Sequence, residues 1–368
     1  MILVTDPGVY GVGYRPLQHA DWNGGTATDM IFPAFLFAVG LAITLSFARR
    51  IERGCSRGKL ARHVLVRSAI IFAIGLALNG FPDYNLHAIR VPGVLQRIAI
   101  CYLFGAFVYL AAIGAREGSA GRGWWAIASV IVVILAGYWA LLKLVPVPGF
   151  GPGRMDSLGN LAAYVDRHII GTRHMWRYGT TPGFGVTYDP EGLLSTVPAV
   201  ATVLIGILGG EGLRSRWSRG RKAAAFAAAG VALALGGWLL DPLLPINKKL
   251  WTSTFVLFSG GISLLVFSAL YFTLDIKRWK WWTPPALVFG TNAILAFALS
   301  GMITVLTDRI HVAARNGETL TLHRWIYREG FATWLAPLHA SLAYGFAIVL
   351  FNLVLLYPLY RRRIFLRI

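Results

Sequence analysis

One short stretch of the chain places titratable side chains directly before an apolar run. His19 is followed by Asp21 and Asp29, and residues 30–40 then read as the start of a membrane-spanning helix. An imidazole titrates near neutral pH, so His19 can act as a general base or accept a transferable group on nitrogen. The structural alternative is a loop histidine that only forms hydrogen bonds at a membrane surface. Residue types alone leave both roles open.

The beginning of this apolar helix should hold a carboxylate in its first turn. Thr28 is predicted to be the N-cap, with its hydroxyl accepting a free amide hydrogen, and Asp29 then lies where the helix dipole favours an anion. Pro33 is predicted to kink the helix. Titratable groups are therefore expected at the edge of a bilayer, with His19 and Asp29 as the catalytic pair.

Three further charged residues lie near the starts of other apolar runs. Arg97 is roughly 9 Å along its helix at ~1.5 Å per residue, where an arginine normally faces a cavity or a carboxylate. Asp29 and Asp189 would lie at the same level, and snorkelling toward the interface is the alternative. Asp189 and Glu191 flank Pro190, so this segment predicts a capped helix start. One carboxylate suffices for a cap, which leaves the second available for substrate.

Two other segments add polar candidates. Asn247 and Lys248 lie just outside an apolar run, where a lysine can bind an anion or simply anchor the helix. Asn292 interrupts another run and needs polar partners in the bilayer, so it is predicted to line a cavity. The remaining histidines show no metal-ligand spacing, and the sequence contains no zinc motif or phosphate-binding glycine loop. No metal is expected.

Composition points to a membrane protein. The chain has 368 residues, of which 56% are hydrophobic and 14% charged, and this excludes a water-soluble globule. A transmembrane helix needs ~20 mostly apolar residues, and many windows qualify. The net charge of +19 resides in short loops between apolar runs, a pattern typical of membrane topology. The lipid bilayer, and not nucleic acid, is the expected partner.

The apolar runs predict an all-α polytopic membrane protein that forms a single domain over residues 1–368. Residues 1–4 read as the end of a helix whose beginning is missing, which gives about ten transmembrane helices with the first truncated. Long outer loops at 146–190 and 307–333 are expected to fold over the outer mouth. The other nine spans are predicted at 29–48, 63–80, 91–114, 124–145, 191–210, 223–240, 252–274, 284–306 and 334–357.

The distribution of basic residues predicts the orientation. One set of loops contains 20 Lys and Arg against four acids, whereas the opposite loops contain 12 of each. Short positive loops face the cytoplasm. The C-terminus is therefore expected inside and His19 outside. The basic set consists of loops 49–62, 115–123, 211–222 and 275–283 with the tail from Arg361.

Five motifs in order resemble heparan-α-glucosaminide N-acetyltransferase and its bacterial relatives. They are His19-Ala20-Asp21-Trp22-Asn23-Gly24 leading to Asp29-Met30-Ile31-Phe32-Pro33, then Pro92-Gly93-Val94-Leu95-Gln96-Arg97, Asp189-Pro190-Glu191-Gly192, Asn247-Lys248 with Trp251, and Gly290 with Asn292. The chain departs from the family in two places. Relatives carry a basic segment and a full first helix before the position of Met1, and they place asparagine where this chain has Thr5-Asp6.

The resemblance implies a membrane acyltransferase of the bacterial inner membrane. It would take acetyl from cytoplasmic acetyl-CoA, its co-substrate, and deliver it to the amine of an amino sugar on the periplasmic side. The histidine that matches His19 is regarded as catalytic in this family. The thioester is then expected near His19 and Asn23, and the sugar near Arg97, Asp189 and Glu191.

A second function uses the same polar residues without chemistry. Some bacterial members of the family accompany N-acetylglucosamine uptake genes, so the alternative is an inner-membrane transporter of N-acetylglucosamine or related amino sugars. Sequence alone leaves open which sugar is the acceptor and whether the chain forms a homodimer.

Overall fold

The computed structural model describes residues 1–9, 11–114, 122–314 and 317–366. Its architecture is a bundle of helices joined by loops that contain two small antiparallel hairpins. The helices are α1 (Ile2–Thr5), α2 (Ala27–Glu52), α3 (Arg57–Gly80), α4 (Val94–Gly114), α5 (Arg122–Leu144), α6 (Leu161–Ile169), α7 (Leu193–Arg214), α8 (Arg219–Leu239), α9 (Ser253–Tyr271), α10 (Pro284–Thr291), α11 (Ala293–Arg309), α12 (Leu322–Gly330) and α13 (Pro337–Arg361). The hairpins pair β1 (Thr180–Thr181) with β2 (Gly185–Val186), and β3 (His311–Ala313) with β4 (Thr319–Thr321).

The polytopic all-α class is confirmed. Among the described residues, eight helices are long and apolar enough to cross a membrane, and α10 with α11 forms a ninth span if the pair counts as one. Each of the nine predicted runs overlaps one of these spans. The run predicted at 284–306 is not a straight helix, because α10 and α11 meet at an angle of 85°. The predicted stub at the start of the chain is the four-residue helix α1.

The loops divide between the two ends of the bundle. One end, called here the His19 end, carries the loops before α2, α4, α7, α9 and α13. The other, called the basic end, carries the loops before α3, α5, α8 and α10 and the segment after α13. The basic loop predicted at 115–123 lies largely outside the described residues. The long loops of the His19 end are folded, since they contain α6, α12 and both hairpins.

Helix α7 is the centre of the bundle and holds α2 in place. Of the 18-residue stretch of α7 that could span a membrane, 78% is buried. A Cβ added at Gly206 would meet the backbone of Phe37, and one added at Gly40 would meet the backbone of Val203. The two helices therefore touch backbone to backbone, as small residues allow in membrane proteins. This contact positions the first turn of α2, which carries Asp29.

The contact between α2 and α7 can be tested with two alanine substitutions. Gly206→Ala should lower the free energy of unfolding by about 1–3 kcal/mol, because the new methyl group overpacks a backbone contact. Gly137→Ala is the matched control, since a Cβ on this helical glycine meets nothing within 4 Å. Thermal unfolding of the purified variants in detergent measures both effects. Equal stability of the two variants would contradict the close contact.

Candidate active site

The first turn of α2 forms a capping box around Asp29. The N-cap is Thr26 and not Thr28, because the reciprocal pattern needs the cap three residues before the acid. The Asp29 amide donates to Thr26 Oγ1 (3.4 Å), and the Thr26 amide donates to Asp29 Oδ2 (3.0 Å). Thr28 instead donates its hydroxyl to the carbonyl of Pro16. Helix α2 continues through Pro33 to Glu52.

The two oxygens of the buried Asp29 carboxylate have different partners. Oδ2 accepts the amides of Ala20 and Thr26, both at 3.0 Å, and the Thr26 hydroxyl at 3.1 Å. Oδ1 lies 2.6 Å from His19 Nδ1. An ionised carboxylate only accepts hydrogen bonds, so Nδ1 carries the hydrogen and Nε2 keeps its lone pair. The His19 side chain is 53% exposed and that of Asp29 only 2%. A buried acid thus orients an accessible base, the logic of a catalytic dyad.

Lys248 joins this pair from the loop before α9. Its Nζ lies 3.3 Å from Asp29 Oδ1 and 3.1 Å from His19 Nδ1. Because the Nδ1 hydrogen points to Asp29, the ammonium group bonds the carboxylate. Burial lowers the pKa of Lys248, while the charges of Asp29 and Glu191 act in the opposite direction and that of Arg97 adds to the lowering. Lys248 therefore binds the same Asp29 oxygen that orients His19.

Two loops of the His19 end are joined beside the imidazole. Asn247 Nδ2 donates to Asn23 Oδ1 at 3.0 Å, and the Gly24 amide donates to the carbonyl of Ile246 at 2.6 Å. Asn247 is fully buried, and its Oδ1 accepts the amide of Leu250. The structure thus brings Asn23, Asn247 and Lys248 together with His19 and Asp29.

Arg97 is fixed by the first turn of α7 and not by a carboxylate. Its guanidinium donates to Ser195 Oγ (2.5 Å), to Thr196 Oγ1 (3.2 Å) and to the carbonyl of Gly192 (3.2 Å). The residue is 1% exposed, which rules out snorkelling to the interface. Its Nη1 has no hydrogen-bond partner within the described ranges. One N–H group of a buried cation is therefore left for a ligand.

Of the two carboxylates expected at the level of Arg97, Asp189 is bound by Arg90 and Asp29 by His19 and Lys248. Arg90 forms two hydrogen bonds with Asp189, at 2.9 and 2.5 Å, and one with Glu191 at 2.5 Å. Both carboxylates raise the pKa of Arg90 despite its burial. The predicted cap at Asp189 is wrong, because α7 begins at Leu193 with Gly192 as the N-cap. Asp189 shapes the preceding turn by accepting the amides of Trp176 and Glu191.

The acid that caps α7 comes from α6. Asp166 Oδ1 accepts the amide of Leu193 at 2.8 Å, and its carboxylate occupies the space that a Cβ on Gly192 would fill. Burial, with the nearby charge of Asp189, raises the pKa of Asp166 to about 7. Sequence analysis missed this residue because it lies within a predicted loop, 27 residues before its partner.

Asn292 is polar and buried as expected, but it lies in a different part of the bundle. Its Nδ2 donates to the carbonyl of Ile364, and its Oδ1 accepts the amide of Leu366. These bonds tie the break between α10 and α11 to the segment after α13, at the basic end. The structure does not bring Asn292 to His19, and its predicted role in substrate binding gains no support from this position.

Trp251 is the second residue that sequence analysis left without a role. Its ring is fully buried, lies 5.0 Å from the Arg97 guanidinium and packs edge-to-face on Phe32 and Phe255. Its backbone φ is +51°, which is a rare conformation for a bulky residue and costs free energy. The available signal was the tryptophan two residues after the lysine pair.

Two cavities bear on the site. One of about 290 Å³ adjoins His19 and Asp21, and its other walls come from parts of residues 3–9 and 11–18 and from residues 341–342 of α13. A cavity of this size suits a small polar ligand. The other, of about 1190 Å³, lies between α5, α7, α8 and α9 toward the basic end, and its walls are mostly apolar. It is distant from the imidazole.

Comparison with known proteins gives two homologues. The chain is 29% identical over 331 residues to the heparan-alpha-glucosaminide N-acetyltransferase of Homo sapiens, which covers 78% of this chain and 49% of that protein. It is 29% identical over 332 residues to the Mus musculus protein of the same name, covering 78% and 50%. The chain spans about half the length of these curated relatives. No family model matches it. The homologues confirm the resemblance indicated by the motifs.

The ion pairs of Arg90 should contribute strongly to stability. Arg90→Gln leaves the buried Asp189 carboxylate without its cation, which should lower the free energy of unfolding by about 3–5 kcal/mol. Arg154→Gln is the matched control, because its pair with Asp156 is solvent-exposed and should be worth less than about 1 kcal/mol. Denaturation in detergent compares the variants. A similar loss in both would show that Arg90 is not a buried structural cation.

Proposed function

We propose that this protein is a membrane acetyltransferase that moves acetyl from acetyl-CoA to the amine of an amino sugar at the His19 end. The observation that carries the proposal is the bond between His19 Nδ1 and the buried Asp29 carboxylate, which leaves the accessible Nε2 as a base. The cavity of about 290 Å³ beside the imidazole offers room for the acceptor. The names of the homologues agree with this chemistry.

The geometry serves two routes in which atoms and charges balance. In the first, the acceptor amine attacks the thioester carbonyl while His19 Nε2 takes the amine proton, and the C–S bond breaks to release CoA, whose sulfur receives that proton. In the second, neutral Nε2 attacks the carbonyl and the C–S bond breaks, which gives an acetylimidazolium and the CoA thiolate. The amine then attacks the acetyl carbon, the bond from that carbon to Nε2 breaks, and the amine proton passes to the thiolate. Asp29 stabilises the positive imidazole in both routes.

The neighbouring charges suit the other requirements of the reaction. The ammonium of Lys248 is bound to the Asp29 carboxylate beside His19 Nδ1, so it helps to hold the pair in place. The unpartnered Nη1 of Arg97 can hold a sugar or carbonyl oxygen. Glu191 is the acidic candidate for contact with the sugar, because its side chain retains 11% exposure. Asp189 is fully buried and engaged, so we assign it the positioning of Arg90.

The orientation proposed from charge puts the donor on the cytoplasmic side of a bacterial inner membrane. The loops of the basic end have a net charge of +16 and those of the His19 end a net charge of zero. Positive loops face the cytoplasm, and CoA, a polyanion, is attracted to such a surface. The C-terminus then lies inside and the acceptor meets His19 outside.

Replacement of His19 tests the proposed chemistry. His19→Ala should lower acetyl transfer by about 10²–10⁴, the usual contribution of a general base, while CoA binding persists. His87→Ala is the control, because this exposed histidine lies on another loop of the His19 end. The assay uses purified protein, labelled acetyl-CoA and glucosamine. Robust transfer by the His19 variant would falsify the catalytic role.

The same assay distinguishes the transporter alternative. If the parent protein shows no acetyl transfer but vesicles containing it accumulate labelled N-acetylglucosamine, the polar groups bind sugar without chemistry. His19→Ala would then weaken uptake only. That pair of results would replace the acetyltransferase proposal.

Cysteine labelling tests the orientation. A membrane-impermeant maleimide should label Cys55, between α2 and α3, only in inside-out vesicles. Thr172→Cys in a Cys55→Ser background should react only in right-side-out vesicles, because the exposed Thr172 lies at the His19 end. Cys101 is fully buried and serves as the unreactive control. The reverse pattern at both positions would overturn the proposed topology.

A further inference from the structure

A second polar group lies inside the bundle, away from His19. Arg67 lies about 15 Å along α3 from its beginning at the basic end, near the middle of the helix. Its guanidinium does not turn toward that end but lies over the ring of Tyr102 on α4, 4.9 Å from the centroid. An arginine inside a membrane-spanning segment is costly and usually marks a pathway or a binding site.

The group is positive and lacks acidic partners. Arg50, near the end of α2, and His63, one turn before Arg67 on α3, are further basic side chains toward the basic end. Within the described ranges, none of these cations forms a salt bridge with a carboxylate, whereas Arg214 nearby pairs with Glu52 and Glu211.

Several hydrogen-bonding atoms of this group are buried and unused. The Tyr102 side chain belongs to a residue that is 3% exposed, and its hydroxyl has no partner in hydrogen-bond geometry among the described residues. The same holds for Arg67 Nε and for the hydroxyl of the neighbouring Ser68. Buried polar atoms are normally paired, so three unpaired atoms around an uncompensated cation point to a missing anionic ligand.

We propose that Arg67 and Tyr102 bind a phosphate ester that enters between α3 and α4 from the basic end. A phosphate offers several acceptor oxygens and negative charge, which suits guanidinium and hydroxyl donors. Arg50, in the last turn of α2, and His63, one turn before Arg67 on α3, add basic side chains toward the basic end. Either the phosphates of CoA or the headgroup of an anionic lipid has this chemistry; the assignment to CoA rests on the proposed function, whereas the assignment to a lipid does not.

The length of CoA matches the depth of Tyr102 in the bundle. Thirteen bonds separate its sulfur from the nearest phosphorus, about 15 Å at the ~1.2 Å per bond of an extended chain. Tyr102 lies about 12 Å along α4 from the first residue of that helix at the His19 end. An extended CoA with its thioester at the His19 end is therefore long enough for its phosphate to reach the level of Tyr102.

Direct binding measurements test this site. Purified protein in phosphatidylcholine nanodiscs is titrated with CoA by calorimetry, and its retention of phosphatidylglycerol is measured by native mass spectrometry. Arg67→Gln should weaken binding of the occupying probe by about tenfold or more, the usual scale for a hydrogen bond to a charged group. Arg67→Lys should restore part of that affinity. Tyr102→Phe removes only the hydroxyl and should weaken binding a few-fold without disturbing the helix packing.

Arg62→Gln is the matched control, because Arg62 is an exposed arginine on the same helix. Loss of CoA affinity in the Arg67 and Tyr102 variants, but not in the Arg62 variant, supports a donor phosphate. The same pattern for phosphatidylglycerol supports a lipid headgroup. Equal binding of both probes by all variants, or no binding by the parent, overturns the site. If the parent protein binds lipid through Arg67 but transfers no acetyl group, the proposed function is wrong and the phosphate site stands.

Discussion

The arrangement around His19 depends on how the Asp29 carboxylate is shared. One of its oxygens closes the capping box of α2, and the other orients the imidazole and binds the Lys248 ammonium. Burial removes water as a competitor, so each partner must be supplied by the protein. The same acid therefore stabilises a helix start, selects the histidine tautomer and holds the loop before α9. The position of Asp29 depends on the position of α2. The close backbone contact at Gly40 and Gly206 fixes α2 against α7.

Arg97 and Arg90 form a second polar group, in which buried cations take their partners from the protein as Asp29 does. Arg97 is a buried cation whose hydrogen bonds go to the start of α7, and Arg90 is a cation that satisfies two acids on the turn before that helix. Both arginines bind at the start of α7. This central helix therefore positions the arginines directly, and it positions Asp29 through its contact with α2. Trp251 packs its buried ring against the Arg97 guanidinium. Among the described residues, Arg97 Nη1 is left as a buried donor without a hydrogen-bond partner.

Charge is distributed so that the two ends of the bundle favour different partners. The His19 end is balanced overall and combines an exposed imidazole with buried acids, which suits proton transfer involving a neutral or cationic sugar. The basic end and the group around Arg67 are uncompensated and suit anions. A transferase that joins a polyanionic donor to an amino-sugar acceptor needs both environments in one bundle. The proposed function assigns one substrate to each.

Local patterns determined what sequence alone could establish. Apolar runs of membrane length gave the spans, because a helix that crosses a bilayer must satisfy its backbone internally. The capping motif placed Asp29 in a first turn within two residues of the correct start. Tertiary structure decided the partners. Arg90 and its partner Asp189 are 99 residues apart in the sequence. The sequence allowed Arg97 to pair with Asp29 or Asp189, whereas the packing of α4 on α7 places it against Ser195 and Thr196. Asn292 likewise forms its hydrogen bond with the segment after α13 and does not reach the site around His19. Spacing along the chain reports the period of a helix, whereas which faces meet depends on side-chain fit among all the helices at once.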